Sequence, residues 1–395
     1  MSRGNVLVLD ENLSVPFDRR VWQESRALRQ AGFEVFVVCP CGTRRDRELF
    51  EVREGVRIYR YPSAPASGGP LSYVREYGSA LWHMSRIVRK LAGGRRFAVV
   101  HACNPPDVLL LAALPLKRRG TRFIFDHHDL VPELYLSRFE RGEDLFYRMT
   151  FALERLAFKL ADVVIATNDS YRRIALTRGR KRPEDVFVVR SAPDISRFRE
   201  VDPEPALKRD QPHLIAYLGT MGPQDGVDHA LRALAVLRKH RDDWHAVFVG
   251  GGDLLDEMKE LSKQLGLGEA VEFTGRVPDD QLIRVLSTAD VCLAPDPKSP
   301  LNDVSTMTKI VEYMAMSRPI VSYDLLEAKV SAGEGAIYAK PDDVGGFAEC
   351  IDELLDDPKR RKAMGAVGRS RIEQALSWEH SERALLAAYE RAVER

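Results

Sequence analysis

The sequence predicts an α/β protein made of two doubly wound parallel sheets. Three observations carry this prediction. Short, continuous runs of β-branched and apolar residues alternate with helical stretches along the chain, as parallel strands buried on both faces do. The pattern restarts near Leu214, after a polar, proline-bearing stretch, Val201-Asp202-Pro203-Glu204-Pro205, that reads as a linker. The length of 395 residues suits two or three domains of about 150 residues each.

Asn5–Leu9 reads as the first strand. Asp18–Gln30 reads as a helix with Val21, Trp22, Ser25 and Leu28 on one face; Gly32 stops it, and Glu34–Val38 is the next strand. Further strands are expected at Ala98–Val100, Phe123–Phe125, Val163–Ile165 and Val186–Val189. In the second half they are expected at Leu214–Leu218, His245–Val249, Val271–Phe273, Val291–Leu293 and Pro319–Val321. Ser377–Arg395 reads as a closing amphipathic helix. The expected domains are residues 1–200 and 205–376, two Rossmann-like halves facing each other across a cleft. Ligands of such sheets bind at the carboxyl-terminal strand edges, so the chemistry is expected on strand-to-helix loops.

Composition narrows the function. With 45% hydrophobic and 30% charged residues the chain is neither disordered nor fibrous. Lys plus Arg is 59 against 58 for Asp plus Glu, so a general polyanion binder is excluded and no nucleic-acid partner is expected. No apolar run approaches the ~18 residues of a membrane span, and MSRGNVLVLDEN does not read as a signal peptide. Cys39-Pro-Cys41 is too tight for paired zinc ligands, and Cys103, Cys292 and Cys350 stand apart. Reduced thiols and a cytoplasmic location are expected. Phosphate-loop, serine-elbow and zinc-helix motifs do not occur.

Four loops could carry chemistry. Leu218 to Asp228 holds three glycines between a strand and a helix, which suits a phosphate or a plain glycine-rich turn. Phe248 to Asp253 reads as a tight turn, and Phe273 to Pro278 offers backbone groups to a flat base. Ser299 to Ala315 runs from a polar loop into a helix on which Lys309 and Glu312 share a face. The lysine could neutralise a diphosphate while the glutamate accepts from a ribose diol; the plainer alternative is a surface ion pair. In the first half, Asp126-His127-His128-Asp129-Leu130-Val131-Pro132-Glu133 follows a strand. Its histidines and carboxylates are consecutive rather than spaced as ligands, so no metal is expected and His128 reads as the polar wall of a sugar pocket. His101 to Asp107 points to the same edge.

Together, Phe17 to Glu24, Asp126 to Glu133, Gly219 to Asp228 and Lys309 to Ala315 resemble the family-four retaining glycosyltransferases of the GT-B fold. The order and spacing match over nearly the whole chain. The resemblance implies transfer of a sugar from a nucleotide diphosphate sugar, a UDP-sugar first, to an acceptor hydroxyl with retention, with no metal and no other cofactor. It implies His128, Lys309 and Glu312 as the catalytic set. Gly219, Thr220, Gly275, Arg276, Val277, Ser305, Thr306, Met307 and Thr308 join Lys309 and Glu312 around the donor. Asp18, Arg19, Arg20, Asn104 and Asp129 fall on the acceptor side. It also implies that helix 377–395 packs back on the first domain.

The sequence departs from the family where many members carry cations in the first loop of the second domain; here Thr220 and Asp225 stand. Val304 stands where many carry a glutamate. These changes throw the diphosphate charge onto Lys309, the Ser305–Thr308 amides and hydroxyls, and Arg276. An epimerase on the same fold and a non-catalytic GT-B partner subunit are the competing readings. No carboxylate is placed as an obvious nucleophile, so same-face attack is expected, the departing phosphate taking the acceptor's proton.

Between Leu71 and Phe97, Arg75, Arg86, Arg89, Lys90, Arg95 and Arg96 face one acid, Glu76, with Tyr73, Tyr77, Leu81, Trp82, Met84, Ile87, Val88 and Leu91 interleaved. Such a helix can lie on an anionic membrane, or pack as a core helix with a basic edge. The membrane reading suits a lipid-linked acceptor and a peripheral place at the inner face of the cell membrane.

Overall fold

The structure, a computed structural model, describes residues 3–42, 46–63, 70–139, 142–193, 195 and 197–394. The chain forms two compact units: Met1–Ser191 with Glu379–Arg395, and Ala192–Trp378.

Unit 1 is built on eight strands: β1 (Asn5–Leu9), β2 (Glu34–Pro40), β3 (Phe50–Arg53), β4 (Val56–Tyr61), β5 (Val99–Cys103), β6 (Arg122–His127), β7 (Val163–Ala166) and β8 (Val186–Val188). Their order is β3-β4-β2-β1-β5-β6-β7-β8. All neighbours are parallel except the β3–β4 hairpin. The hairpin was not expected. Its residues alternate apolar and charged instead of forming a continuous apolar run, and Glu54 and Gly55 turn it at φ 47° and 81°.

The helix Arg19–Gln30 starts where the Asp18 carboxylate accepts from the Val21 amide. Its buried face is Arg20, Val21, Glu24, Ser25, Ala27 and Leu28, while Trp22 is only half-buried. The expected apolar face is therefore corrected by two charged residues that turn inward because each meets a charge there. The helix Trp378–Val393 buries Leu385, Ala388, Tyr389 and Ala392. Its Ser381 hydroxyl accepts from the Arg190 amide and donates to the Arg190 carbonyl, both at 3.1 Å, within unit 1.

Unit 2 is built on β9 (His213–Leu218), β10 (Trp244–Val249), β11 (Val271–Gly275), β12 (Val291–Ala294), β13 (Ile320–Tyr323) and the unanticipated β14 (Ala336–Ala339). The order is β11-β10-β9-β12-β13-β14, all parallel. The stretch read as a linker belongs to this unit. Val201 N donates to Ser287 Oγ at 3.1 Å and Glu204 N to Thr288 Oγ1 at 2.9 Å. Its side chains face water while its backbone is anchored, so polar composition marked exposure and not a boundary.

Among the described residues, no helix is long and apolar enough to cross a membrane.

Candidate functional site

In unit 2 three loops leave neighbouring strands and are tied edge to edge. Gly219 N donates to Val249 O, Met221 N to Gly251 O, and Gly250 N to Gly275 O. Gly250 has φ +139°, and a Cβ there would lie 1.8 Å from the Gly219 carbonyl oxygen. No side chain fits, and the backbone conformation itself disfavours one. The first loop is further fixed by Tyr217, whose hydroxyl donates to Thr220 O at 2.6 Å, and by Asp225, which accepts from Gly222 N at 2.9 Å. Asp225 thus folds the loop. Thr220 is exposed.

The helix Thr308–Ala315 enters this edge with no side-chain cap on its first turn. Its residues Lys309, Ile310, Val311, Tyr313, Met314 and Ala315 are buried, leaving Glu312 half-buried and Thr308 exposed. Lys309 is 6% exposed and donates to Asp296 Oδ1 at 2.6 Å. Its Nζ lies 5.2 Å from the centre of the Tyr217 ring, and its Cε would lie 3.2 Å from a Cβ on Gly219. Lys309 turns in toward the glycine loop, while Glu312, three residues on along the same helix, is half-buried. Asp296 was missed by sequence reasoning. It is buried, with Oδ2 unpartnered, two residues after the end of β12. Its position after a strand end was the available signal.

The polar loop before this helix is pinned by Asn302, which donates to Gln224 O at 2.9 Å and Pro297 O at 2.8 Å. Ser305 donates its hydroxyl to Leu301 O at 2.8 Å. Thr306 and Met307 are half-buried. Gly275 turns at φ +67°; Arg276 beyond it is exposed and Val277 half-buried.

In unit 1 the carboxyl edge of β1, β5 and β6 encloses a charged cluster. Arg20 donates through one terminal nitrogen to Asp126 Oδ1 at 3.0 Å and through the other to Val189 O at 2.8 Å. Its Nε lies 2.6 Å from His128 Nε2, which is also 2.7 Å from Asp126 Oδ2. His101 Nε2 is 3.1 Å from the same oxygen, and His101 Nδ1 is 2.7 Å from the Tyr389 hydroxyl. Burial alone would raise the Asp126 carboxyl, but Arg20, His128 and the histidine hydrogen bonds outweigh it and hold it well below the usual range. Glu24 also lies 3.2 Å from Arg20, yet neither of its oxygens has an aligned hydrogen bond. Burial pushes it up to about 7.

The acceptor-side set is therefore split. Asp18 caps a helix, Arg19 is exposed, and Arg20 is 9% exposed at the centre of the cluster. Asn104 is a buried clamp: its Oδ1 accepts from the amides of His128 at 2.6 Å and Asp129 at 3.0 Å, and its Nδ2 donates to Asp107 and to Asp129 O. It sets the loop and is not free to reach an acceptor. Asp129 is half-buried beside it. Two groups of possible metal ligands come together here, His101 with Cys103 and Asp126, and Glu24 with Asp126 and His128. The Arg20 guanidinium already supplies the cation for the second. The first lies wholly buried, with both nitrogens of His101 engaged.

Beside β1, burial and then Glu76 push the Glu11 carboxyl up to about 8. An acid raised on folding binds a proton between its unfolded value of 4.5 and about 8. Its contribution to stability therefore falls as pH rises through that window and is flat above it. Glu24 acts in the same direction up to about 7. We expect a lower thermal midpoint at pH 9 than at pH 6, with a smaller difference in Glu11→Gln. Calorimetry finding the same difference in the variant would refute this source.

Comparison with known proteins places these loops in context. Residues 198–371 match the family model "Glycosyl transferases group 1", and residues 18–192 match "Glycosyl transferase 4-like domain". The chain is 28% identical over 318 residues to an MMP alpha-(1->4)-mannosyltransferase of Mycolicibacterium hassiacum, covering 78% of this chain and 74% of that protein. It is 26% identical over 396 residues to D-inositol 3-phosphate glycosyltransferase 1 of Catenulispora acidiphila, covering 95% and 90%. Among solved structures, sucrose-phosphate synthase from Thermosynechococcus elongatus superposes with a TM-score of 0.81 at 18% identity over 98% of both chains. Anabaena Alr3699/HepE in complex with UDP-glucose gives 0.75 at 15% identity over 98% of this chain and 100% of that one.

Proposed function

Because this chain belongs to the GT-B glycosyltransferases of group 1, and is a glycosyltransferase, we propose that it moves a sugar from a nucleotide diphosphate sugar to an acceptor hydroxyl with retention of configuration, in bacterial polysaccharide, glycolipid or glycoconjugate synthesis. The observation that carries the donor assignment is Lys309: a buried lysine against Gly219, at the uncapped start of a helix. A diphosphate there meets a cation, backbone amides and the positive end of the helix dipole. Charge developing on the leaving diphosphate is then stabilised without a metal. Glu312, at the rim, takes the ribose hydroxyls, and the Gly275–Val277 backbone holds the base. The resemblance to the family assigns the sugar to His128 and the acceptor to Arg19. A UDP-sugar is the first choice, supported by neighbours solved with UDP and UDP-glucose.

The test is to supply UDP-, GDP- and ADP-sugars, each with and without an acceptor extract, and follow nucleoside diphosphate release. Proton NMR of the product then reads the anomeric configuration. We expect acceptor-dependent release from a UDP-sugar and an unchanged anomeric coupling. An inverted product would end the retaining reading.

Glu312→Gln is expected to weaken the donor and free nucleoside diphosphate alike, by about tenfold, because a charged acceptor of ribose hydroxyls contributes roughly 1.5 kcal/mol. Equal affinity in mutant and parent by calorimetry would remove Glu312 from the ribose.

A peripheral place at the cytoplasmic face of the membrane is supported by the helix Pro70–Gly93. Its Ala80, Met84, Val88 and Leu91 are core residues, so this helix packs against unit 1 with its basic edge outside. What remains outside is Trp82, 55% exposed beneath the Arg86 guanidinium, with Arg75, Arg89, Lys90, Arg95 and Arg96. Each cation near an anionic surface contributes about 1 kcal/mol, falling with salt. The protein should sediment with anionic vesicles at low salt and leave them at high salt. Changing Arg86, Arg89 and Lys90 to Glu should abolish this; a parent protein that ignores the vesicles at low salt points to a soluble acceptor.

A further inference from the structure

We propose that Tyr389, near the end of the chain, is a positioning residue for His128, acting through His101 and Asp126. The proposal rests on the reading of His128 as a sugar-facing group. Its basis is an unbroken buried chain: Tyr389 hydroxyl to His101 Nδ1 at 2.7 Å, His101 Nε2 to Asp126 Oδ2 at 3.1 Å, and Asp126 Oδ2 to His128 Nε2 at 2.7 Å. Tyr389, His101 and Asp126 are all 0% exposed, so bulk water does not reach the chain of groups.

The proton assignment follows from donor and acceptor chemistry. A buried phenol keeps its proton. It donates to His101 Nδ1, which leaves the His101 proton on Nε2, pointing at the Asp126 carboxylate. His128 Nε2 then faces two partners with opposite demands. It can accept from Arg20 Nε at 2.6 Å, with the ring proton on Nδ1, or it can carry the proton and donate to Asp126. One nitrogen cannot do both. His101 already donates to Asp126 Oδ2, and this lowers that oxygen's demand for a second proton. The balance moves toward the state with the proton on His128 Nδ1. Tyr389 thus selects whether His128 Nδ1, the ring nitrogen turned away from Arg20 and Asp126, offers the sugar a donor or an acceptor.

Other titratable groups surround the same cluster: Glu24 and Asp18 at the first helix, Asp129 beside His128, and Asp10 after β1, while burial keeps the Cys103 thiol at the end of β5 neutral. They are present with or without the Tyr389 hydroxyl, so they cancel in a comparison that removes only that atom.

The experiment uses the full chain and reads the His128 ring by nitrogen-15 imidazole NMR across pH. Tyr389→Phe keeps the ring packing and removes the O–H. We expect the His128 proton to move from Nδ1 toward Nε2 and its titration midpoint to rise by about half a pH unit or more. Turnover should fall severalfold while nucleoside diphosphate affinity stays within twofold. His101→Leu, which leaves the C-terminal helix untouched, should move His128 in the same direction. In a His101→Gln background the amide still donates to Asp126 but relays no tautomer, so adding Tyr389→Phe should change nothing at His128. An unmoved His128 in both Tyr389→Phe and His101→Leu overturns the proposal, as does the same shift in the His101→Gln background. If His128 shifts as expected but turnover is unaffected, the relay stands and the sugar-facing role of His128 falls.

Discussion

Lys309→Ala is expected to lower sugar transfer by about ten- to a hundredfold, the equivalent of the roughly 1.5–3 kcal/mol contributed by a charge-assisted hydrogen bond in a partly desolvated site. It is the single cation in the Thr308–Ala315 helix. The loop beside it offers no replacement, because Thr220 is uncharged and Asp225 is an acid committed to the Gly222 amide. The structure adds a second effect. Lys309 neutralises buried Asp296, so the alanine also strands a carboxylate and lowers stability. The two effects separate by measurement: kcat at saturating donor with nucleoside diphosphate calorimetry reads the first, and thermal melting the second. Asp296→Asn is the control. It leaves the lysine charged and should retain nucleoside diphosphate binding. Near-normal kcat in Lys309→Ala would show that the diphosphate lies elsewhere.

Asp126→Asn is expected to be the most destabilising single change in unit 1. Removing one partner of a buried ion pair costs about 3–5 kcal/mol because the other charge is left uncompensated. Here that charge is Arg20, which has aligned hydrogen bonds to Asp126 and only unaligned proximity to Glu24. For a unit of this size such a loss lowers the unfolding midpoint by roughly 6 °C or more. Glu24→Gln is the contrast. Above about pH 7 the Glu24 charge is held against burial, so its removal should cost much less than the loss of Asp126. Melting curves of both variants at pH 8 decide the point; equal losses would mean that Glu24 and Asp126 share Arg20 evenly. Because Asp126 is held ionised by Arg20, its contribution is present above its unfolded value and is lost only as pH falls through the lower folded one.

The sheets were legible in the sequence for a physical reason. A parallel strand covered on both faces must be apolar throughout, and Val6–Leu9, Val35–Val38 and Ile215–Tyr217 write that requirement directly into consecutive residues. The β3–β4 hairpin escaped because an edge strand with one wet face alternates, and β14 because Ala336-Ile337-Tyr338-Ala339 holds one β-branched residue and is half-buried at its centre. The glycine loops were visible as glycines. Their cause, such as the 1.8 Å approach of Gly219 O to a Cβ on Gly250, was not.

Tertiary structure alone decided which charges are inside and with whom. Arg20 and Asp126 are 106 residues apart, and Tyr389 and His101 are 288 apart. The family resemblance assigned Arg20 to the acceptor side, and neither it nor the sequence pattern gave a role to His101, Asp296 or Tyr389. Apolar burial is a property each residue carries with it, so it leaves a periodic trace along the chain. A buried charge is tolerable only when a partner from another element meets it within hydrogen-bond reach. That condition is set by how the strands and the C-terminal helix pack, and it leaves no local pattern to read.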